Sequence, residues 1–277
     1  IRGAVGHGAS PASRRYSRTL VVERASFVQL TEAWGMPMPR VQLEMVYRRY
    51  QFLAELVGSG RLLEVGCGAA LGNGILTREA GIVVSSDFDL ENLCSARNHV
   101  GGLLGCSDAE ALPFAGDSFD VVAACEMIYY VQNQKRFVSE ARRVLRPGGR
   151  LFVTVANPER PGFHHSPMST HYPTAGDLSE MLTEQGFTPE LYGVFPLGRS
   201  LRARLFRLLA SVASKLQLVP RTLAGRGMLK RLLVGELSPF GGFEGIDDGD
   251  VAQPVPIDPS QEVRFHQVLY AVGRLEG

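Results

Sequence analysis

The chain has 277 residues, 45% hydrophobic and 21% charged, with 29 Lys+Arg against 28 Asp+Glu and a formal net charge of +1. This length suits one large domain or two small ones, and it is enough to bury a core without disulfides or metals. The charge balance excludes a strongly basic nucleic-acid binder as a description of the whole chain, and no run of about 18 apolar residues reads as a membrane span.

Residues 1–13 are rich in Gly, Ala and Ser and have no apolar stretch, so they read as a flexible start rather than a signal peptide. Without Met at position 1, the natural start is expected upstream. Apolar residues from Val41 to Val57 follow helical spacing, and Gly58 and Gly60 stop the helix. A strand is expected over 62–65, a helix over 71–80, a strand over 82–86 ending in Asp87, and a helix over 90–99. Strands follow at 103–106, 119–125 and 150–155, the last preceded by a helix over 134–145 that Pro147-Gly148-Gly149 closes. A loop rich in Pro, His and Ser then leads to a helix over 175–185 and to late strands at 190–195 and 263–272, with a long insertion between them. Strands alternating with helices of this length predict βαβ units and a parallel sheet buried on both faces. Cys67, Cys94, Cys106 and Cys125 are scattered, without a CxxC pair. Neither a disulfide framework nor a metal site is expected, and a reducing cytoplasm fits.

The strongest loop follows the first parallel strand: Leu62-Leu63-Glu64-Val65-Gly66-Cys67-Gly68-Ala69-Ala70-Leu71-Gly72. Glycines there let backbone approach a ligand, and Asp87, at the end of the next strand, is placed to accept from ribose hydroxyls. The same glycines also serve to pack a helix on a strand. A dinucleotide site prefers G-x-G-x-x-G, whereas here Gly72 comes one place late. Glu64, shortly before the first glycine, would repel a pyrophosphate and attract an ammonium. A nucleoside ligand carrying an amino-acid group, S-adenosylmethionine, therefore fits better than NAD.

Leu63-Glu64-Val65-Gly66-Cys67-Gly68, Ser86-Asp87-Phe88-Asp89, Asp108-Ala109-Glu110-Ala111-Leu112-Pro113-Phe114, Ser118-Phe119-Asp120-Val121-Val122 and Leu145-Arg146-Pro147-Gly148-Gly149-Arg150-Leu151 stand in fixed order along the chain. In this series the chain resembles the class I S-adenosylmethionine-dependent methyltransferases, in the small-molecule group that includes quinone and natural-product methyltransferases. The resemblance implies a Rossmann-like α/β fold with a seven-stranded, mostly parallel sheet whose last strand is antiparallel. Around it, residues 1–40 are read as a flexible start and N-terminal cap, 41–197 as the cofactor-binding core, 198–262 as a helical lid or insertion, and 263–277 as the last core strand.

Position by position, the resemblance implies that Glu64 organises the glycine loop and the methionine end of the cofactor. Gly66, Cys67 and Gly68 would lie under the cofactor, Asp87 would bind the ribose and Phe88 would stack near the adenine. Asp108 would accept from the adenine amino group, the Ala109 N–H would meet a ring nitrogen, and Glu126 would border the methionine moiety. Ala70 stands where the family commonly has a third glycine.

Glu126, Tyr129 and Tyr130 follow the fourth strand, where an acid or tyrosine could orient a nucleophile or act as a base, or the tyrosines simply pack the lip of the sheet. His164, His165 and His171 share one loop and offer a base near neutral pH, or are solvated loop residues. Because the donor's methyl is already activated, alignment does most of the work and a base is optional. Residues 16–34 with Tyr47-Arg48-Arg49-Tyr50 read as a cap over the cofactor or as an ordinary helix pair, and Gly35-Met36-Pro37-Met38-Pro39 as a stiff connector.

The insertion has nine basic residues and no acidic one between Leu191 and Gly235. It reads as a substrate lid, as a collector of anionic substrates, or as a membrane-surface helix. The expected partner is an anionic or hydrophobic small-molecule acceptor, with no nucleic acid. An NAD-linked oxidoreductase and a catalytically silent binding module of the same fold remain the rival readings.

Overall fold

The computed structural model describes residues 32–166, 168–197, 237–246 and 252–277. The basic stretch of the insertion and most of the expected N-terminal cap lie outside the described residues.

Strand β1 (Pro37–Pro39) leads into helix α1 (Arg40–Val57), followed by β2 (Arg61–Val65), α2 (Asn73–Glu79), β3 (Ile82–Asp87), α3 (Leu90–Arg97), β4 (Leu103–Cys106) and β5 (Phe119–Cys125). After a 3-10 turn at Ile128–Tyr130 come α4 (Gln134–Val144), β6 (Leu145–Ala156), α5 (Ala175–Glu184), β7 (Phe187–Pro196), β8 (Leu237–Pro239), β9 (Val255–Pro256) and β10 (His266–Leu275). The main sheet runs β4-β3-β2-β5-β6-β10-β7-β9. Strands β2 to β6 are parallel, β10 lies antiparallel between β6 and β7, and β9 adds antiparallel to the edge of β7.

The alternation of side chains along each strand divides the core into two layers. Leu62, Val121, Ala123, Phe152 and Tyr270 face α1 and α2, where they meet Val46, Leu53, Ile75 and Leu76. Leu63, Val122, Ala124, Val153 and Ala271 face α4 and α5, against Phe137, Ala141, Leu178 and Leu182. Phe52 anchors α1 to the first layer through ring contacts at 5.4 Å with Phe152 and 5.6 Å with Tyr270.

The structure corrects several local expectations, β6 beginning at Leu145 rather than 150 and β7 at Phe187 rather than 190. Among the described residues the main sheet has eight strands rather than seven, because the short β9 adds to the β7 edge. The expected connector at Gly35–Pro39 contains a strand, since β1 pairs antiparallel with β8. The last long strand begins at His266 rather than 263, because the Val263 N–H donates to the Glu159 carboxylate at 3.3 Å instead of joining the ladder. Within the expected 198–262 insertion, the described residues carry β8 and β9.

Candidate functional site

The carboxyl ends of the parallel strands are where an open α/β sheet accommodates ligands. Here they open on a cleft of about 980 Å³, at the top of the roughly 300–1,000 Å³ usual for small-molecule sites. Gly66, Cys67, Gly68, Asp87, Phe88, Asp108, Ala109 and Glu126 all line it, as does Tyr129.

Beyond β2 the chain turns through Gly66 and Gly68 at φ of +70° and +54°, a region that side chains resist. A Cβ on Gly66 would also lie 2.7 Å from that of Met127. The loop is tied to β3: the Gly68 N–H donates to Asp87 Oδ2 at 2.7 Å and the Cys67 N–H to the Ser86 carbonyl at 2.9 Å. Asp87 Oδ1 accepts from the Asp89 N–H at 2.8 Å and from Asn92 Nδ2 at 3.3 Å. A carboxylate has about four acceptor positions, so these bonds leave one for a ligand hydroxyl. Burial pushes the Asp87 pKa up, against the pull of its N–H donors. Asp108 turns the chain after β4, its Oδ1 accepting from the Glu110 N–H at 2.9 Å.

Ala70 lies at φ +50° and is fully buried, so the loop keeps the geometry of a third glycine with an alanine in place. Ala70→Gly would relieve about 1–2 kcal/mol of left-handed strain. It would also lose about 0.8 kcal/mol of methyl burial and about 0.4–1 kcal/mol through the freer unfolded chain. These effects offset one another. The variant is expected to match the parent within about 1 kcal/mol in urea unfolding. A clearly larger loss would mean that the methyl's packing dominates.

Glu64 does not line the cleft. It is fully buried behind the loop, its Oε1 accepting from the Tyr50 hydroxyl at 2.8 Å and its Oε2 from Ser85 Oγ at 3.2 Å. Burial drives its pKa up to about 7, against the two hydroxyl donors. In this placement Glu64 ties β2 to α1 through Tyr50 and to β3 through Ser85.

Glu126 follows β5 at φ +54°, a strained conformation that its bonds hold in place. Its N–H donates to the Thr154 carbonyl at 3.0 Å, and its Oε2 accepts from Tyr129 at 3.2 Å and from the Ala156 N–H at 3.1 Å. Burial raises its pKa, while Arg49 draws it down. Arg49 is itself buried and makes a two-pronged contact with Glu32 at 3.1 and 3.4 Å. Tyr129 stacks on Tyr172 at 4.1 Å, and its phenol pKa is raised by burial and then by Glu126. A phenolate facing that carboxylate would be repelled, so Tyr129 is suited to holding Glu126 rather than to taking a proton.

His164, His165 and His171 are exposed and lie off the cleft wall. His171 Nε2 stands 3.5 Å from Asp177 Oδ2, and His165 meets Phe163 and Tyr172 edge-on. Among the described residues of this loop, Met168 lines the cleft. Arg160, Gln267 and Tyr270 also line the cleft and belong to none of the sequence motifs; the one available sign for Arg160 was its place after a parallel strand. Trp34, expected in the cap, donates to the Ala69 carbonyl at 2.9 Å and stacks on His99 at 4.7 Å. Among the described residues no group of three or more His, Cys, Asp or Glu is placed to hold a metal.

Residues 63–153 match the family model described as a methyltransferase domain. The chain is 40% identical over 118 residues to the phthiotriol/phenolphthiotriol dimycocerosates methyltransferase 1 of Mycobacterium ulcerans, covering 41% of this chain and 43% of that protein. It is 35% identical over 102 residues to the ubiquinone biosynthesis O-methyltransferase of Parvibaculum lavamentivorans, covering 35% and 40%. The chain thus spans less than half the length of these two relatives. The crystal structure of an S-adenosylmethionine-dependent methyltransferase from Thermotoga maritima superposes with a TM-score of 0.56 at 15% identity, covering 85% of this chain and 92% of that one; this likeness shows the fold.

Proposed function

We propose that this chain, whose residues 63–153 match a methyltransferase domain, is a class I S-adenosylmethionine-dependent enzyme that transfers a methyl group from S-adenosylmethionine to a bulky small molecule such as a lipid-like quinone, a sugar or a secondary metabolite. The observation that carries this reading is the bond from the Gly68 N–H to Asp87 at 2.7 Å, which fuses the glycine loop and the ribose carboxylate into one wall of a cleft roomy enough for donor and acceptor. The relatives named for phthiotriol and for ubiquinone biosynthesis favour a lipid-like acceptor.

The residues present fit the donor. Gly66 and Gly68 keep the floor of the cleft free of side chains, Asp87 retains an acceptor position for a ribose hydroxyl, and Asp108 with Ala109 borders the expected adenine end. When bound, the donor supplies a methyl group on a sulfonium that departs as a neutral thioether. The protein's part is to align the acceptor and exclude water. Glu126, held by Tyr129, Thr154 and Ala156, fixes the wall between the donor and acceptor sides. No dedicated base is needed for this role. Residues 1–40 and 198–262 are assigned to the selection of the acceptor, with Glu32 and Ala33 already at the cleft.

Gly72 speaks against an NAD site, because its close approach is to the Tyr50 ring of α1 rather than to open ligand space. Calorimetry with S-adenosylmethionine and with its demethylated product tests the reading; no binding at high micromolar concentration, with NAD binding instead, would overturn it. Asp87→Ala is expected to weaken donor binding by about 1–3 kcal/mol through lost charge-assisted hydrogen bonds. Unchanged affinity would remove Asp87 from the site. Turnover assays over lipid-like quinones, sugars and secondary metabolites separate the silent binding module from an enzyme.

A further inference from the structure

Arg160 lines the cleft, yet its Nε is buried without a hydrogen-bond partner among the described residues. The guanidinium lies over the Phe163 ring at 5.6 Å. The adjacent carboxylate, Glu159, accepts from the Val263 N–H, and among the described residues no ion pair joins it to Arg160. Burial lowers the Arg160 pKa, with Glu126 acting in the opposite sense. A half-buried guanidinium whose inner N–H has no acceptor carries a desolvation cost in the free protein.

The position of Arg160 is nevertheless fixed. Asn157, fully buried, donates through its N–H to the Gln267 carbonyl at 3.0 Å and through Nδ2 to the Val263 and His266 carbonyls, clamping the end of β6 to the start of β10. Asn157 Oδ1 accepts from the Glu159 N–H at 3.0 Å, and the Arg160 N–H donates to the Asn157 carbonyl at 3.4 Å. A guanidinium carried on a clamped stretch of backbone, lying over a ring and keeping an unpartnered N–H at a cleft, is suited to recognising a planar anion through paired donors.

Resting on the reading of the cleft as a methyl-transfer site, we infer that Arg160 anchors a carboxylate or equivalent planar anion of the acceptor. Two anions could come to it, the acceptor's and the donor's own methionine carboxylate, and the sheet order favours the first. Gly66–Gly68, Asp87 and Asp108 follow β2, β3 and β4, whereas Arg160 follows β6, with β5 and Glu126 in between. Ala156, which ends β6, and Gln267 in β10 also line the cleft.

Benzoate and methyl benzoate at millimolar concentration, followed by saturation-transfer NMR on the protein saturated with the demethylated donor product, give the test. Benzoate is expected to bind at least tenfold more tightly than its ester. Arg160→Met is expected to abolish that difference, and Arg160→Lys to restore part of it. The affinity of both variants for the demethylated product, measured by calorimetry, is expected to stay within twofold of the parent, which also shows that they fold. No benzoate contact, or an equal one in Arg160→Met, would overturn the inference. So would a tenfold loss of product affinity in Arg160→Met, since the residue would then hold the donor's carboxylate. If the parent itself fails to bind the product, the underlying reading of the cleft fails instead.

Discussion

Gly72→Ala is expected to lower folding stability by about 3 kcal/mol, the upper end of the cost of overpacking a core. The new Cβ would sit 2.0 Å from Cδ1 and 2.2 Å from Cε1 of the Tyr50 ring, a rigid aromatic with no flexible end to swing aside. The ring is itself fixed, because its hydroxyl donates to the buried Glu64 at 2.8 Å. Yielding would therefore break a buried hydrogen bond and disturb the packing of α1. Gly74, just inside the helix, provides the control. Nothing lies within 4 Å of its added Cβ, and the position is exposed in α2, so Gly74→Ala is expected to gain roughly 0.5–1 kcal/mol from helix propensity. Urea midpoints of the two variants should move in opposite directions. Equal, small shifts would mean that Tyr50 is free to move and that α1 does not brace the loop.

Glu64 is expected to make the protein less stable as pH rises. Its pKa in the folded chain is about 7, against an ordinary value of 4.5. Between those values the folded state holds a proton that the unfolded state has released. The contribution to stability is complete below about pH 4.5, declines through the window, and is lost above about pH 7. A shift of this size corresponds to roughly 3 kcal/mol. Tyr50 and Ser85 donate to the carboxyl, Arg49 stabilises its charge and Asp87 opposes it, so all four set the height of the step. Glu64→Gln keeps an oxygen for Tyr50 and removes the titration. At pH 8 the variant is expected to be about 2–3 kcal/mol more stable than the parent, and at about pH 4.5 the two should nearly coincide. Asp87 and Glu126 also have raised pKa values, so the difference between parent and variant, rather than either curve alone, reports Glu64. Parallel curves for the two proteins would show that the buried carboxyl is not protonated in this range.

The parallel half of the sheet was legible because its signals are local. Apolar runs ending in Gly66 or Asp87 mark both a strand and the loop at its end, and β4 and β5 begin and end where their apolar runs do. Elements whose stabilising partner is distant in sequence were not. Pro37–Pro39 becomes a strand only because Leu237–Pro239 lies beside it, and nothing within the proline-rich stretch announces a partner so far along the chain. The same holds for the site. Spacing placed Asp87 beside the glycine loop, but it could not tell that the carboxyl of Glu64 turns inward to Tyr50 and Ser85, or that the histidines of the 163–172 loop face away while Met168 faces the cleft. Arg49 and Arg160 take their meaning from Glu32, Glu126 and the clamp at Asn157, contacts that arise only once the chain has folded.

The insertion of β10 between β6 and β7 has a consequence for synthesis on the ribosome. Until β10 arrives, β6 and β7 each present a long unpaired edge, and such edges invite pairing with other chains. β7 ends at Pro196 and β10 at Leu275, so everything between them must be added before the sheet can close. At typical rates of synthesis that interval is on the order of 10 s. Throughout it the nascent chain has its glycine loop and its parallel strands in hand while β6 and β7 remain unjoined, a window in which their edges are open to mispairing.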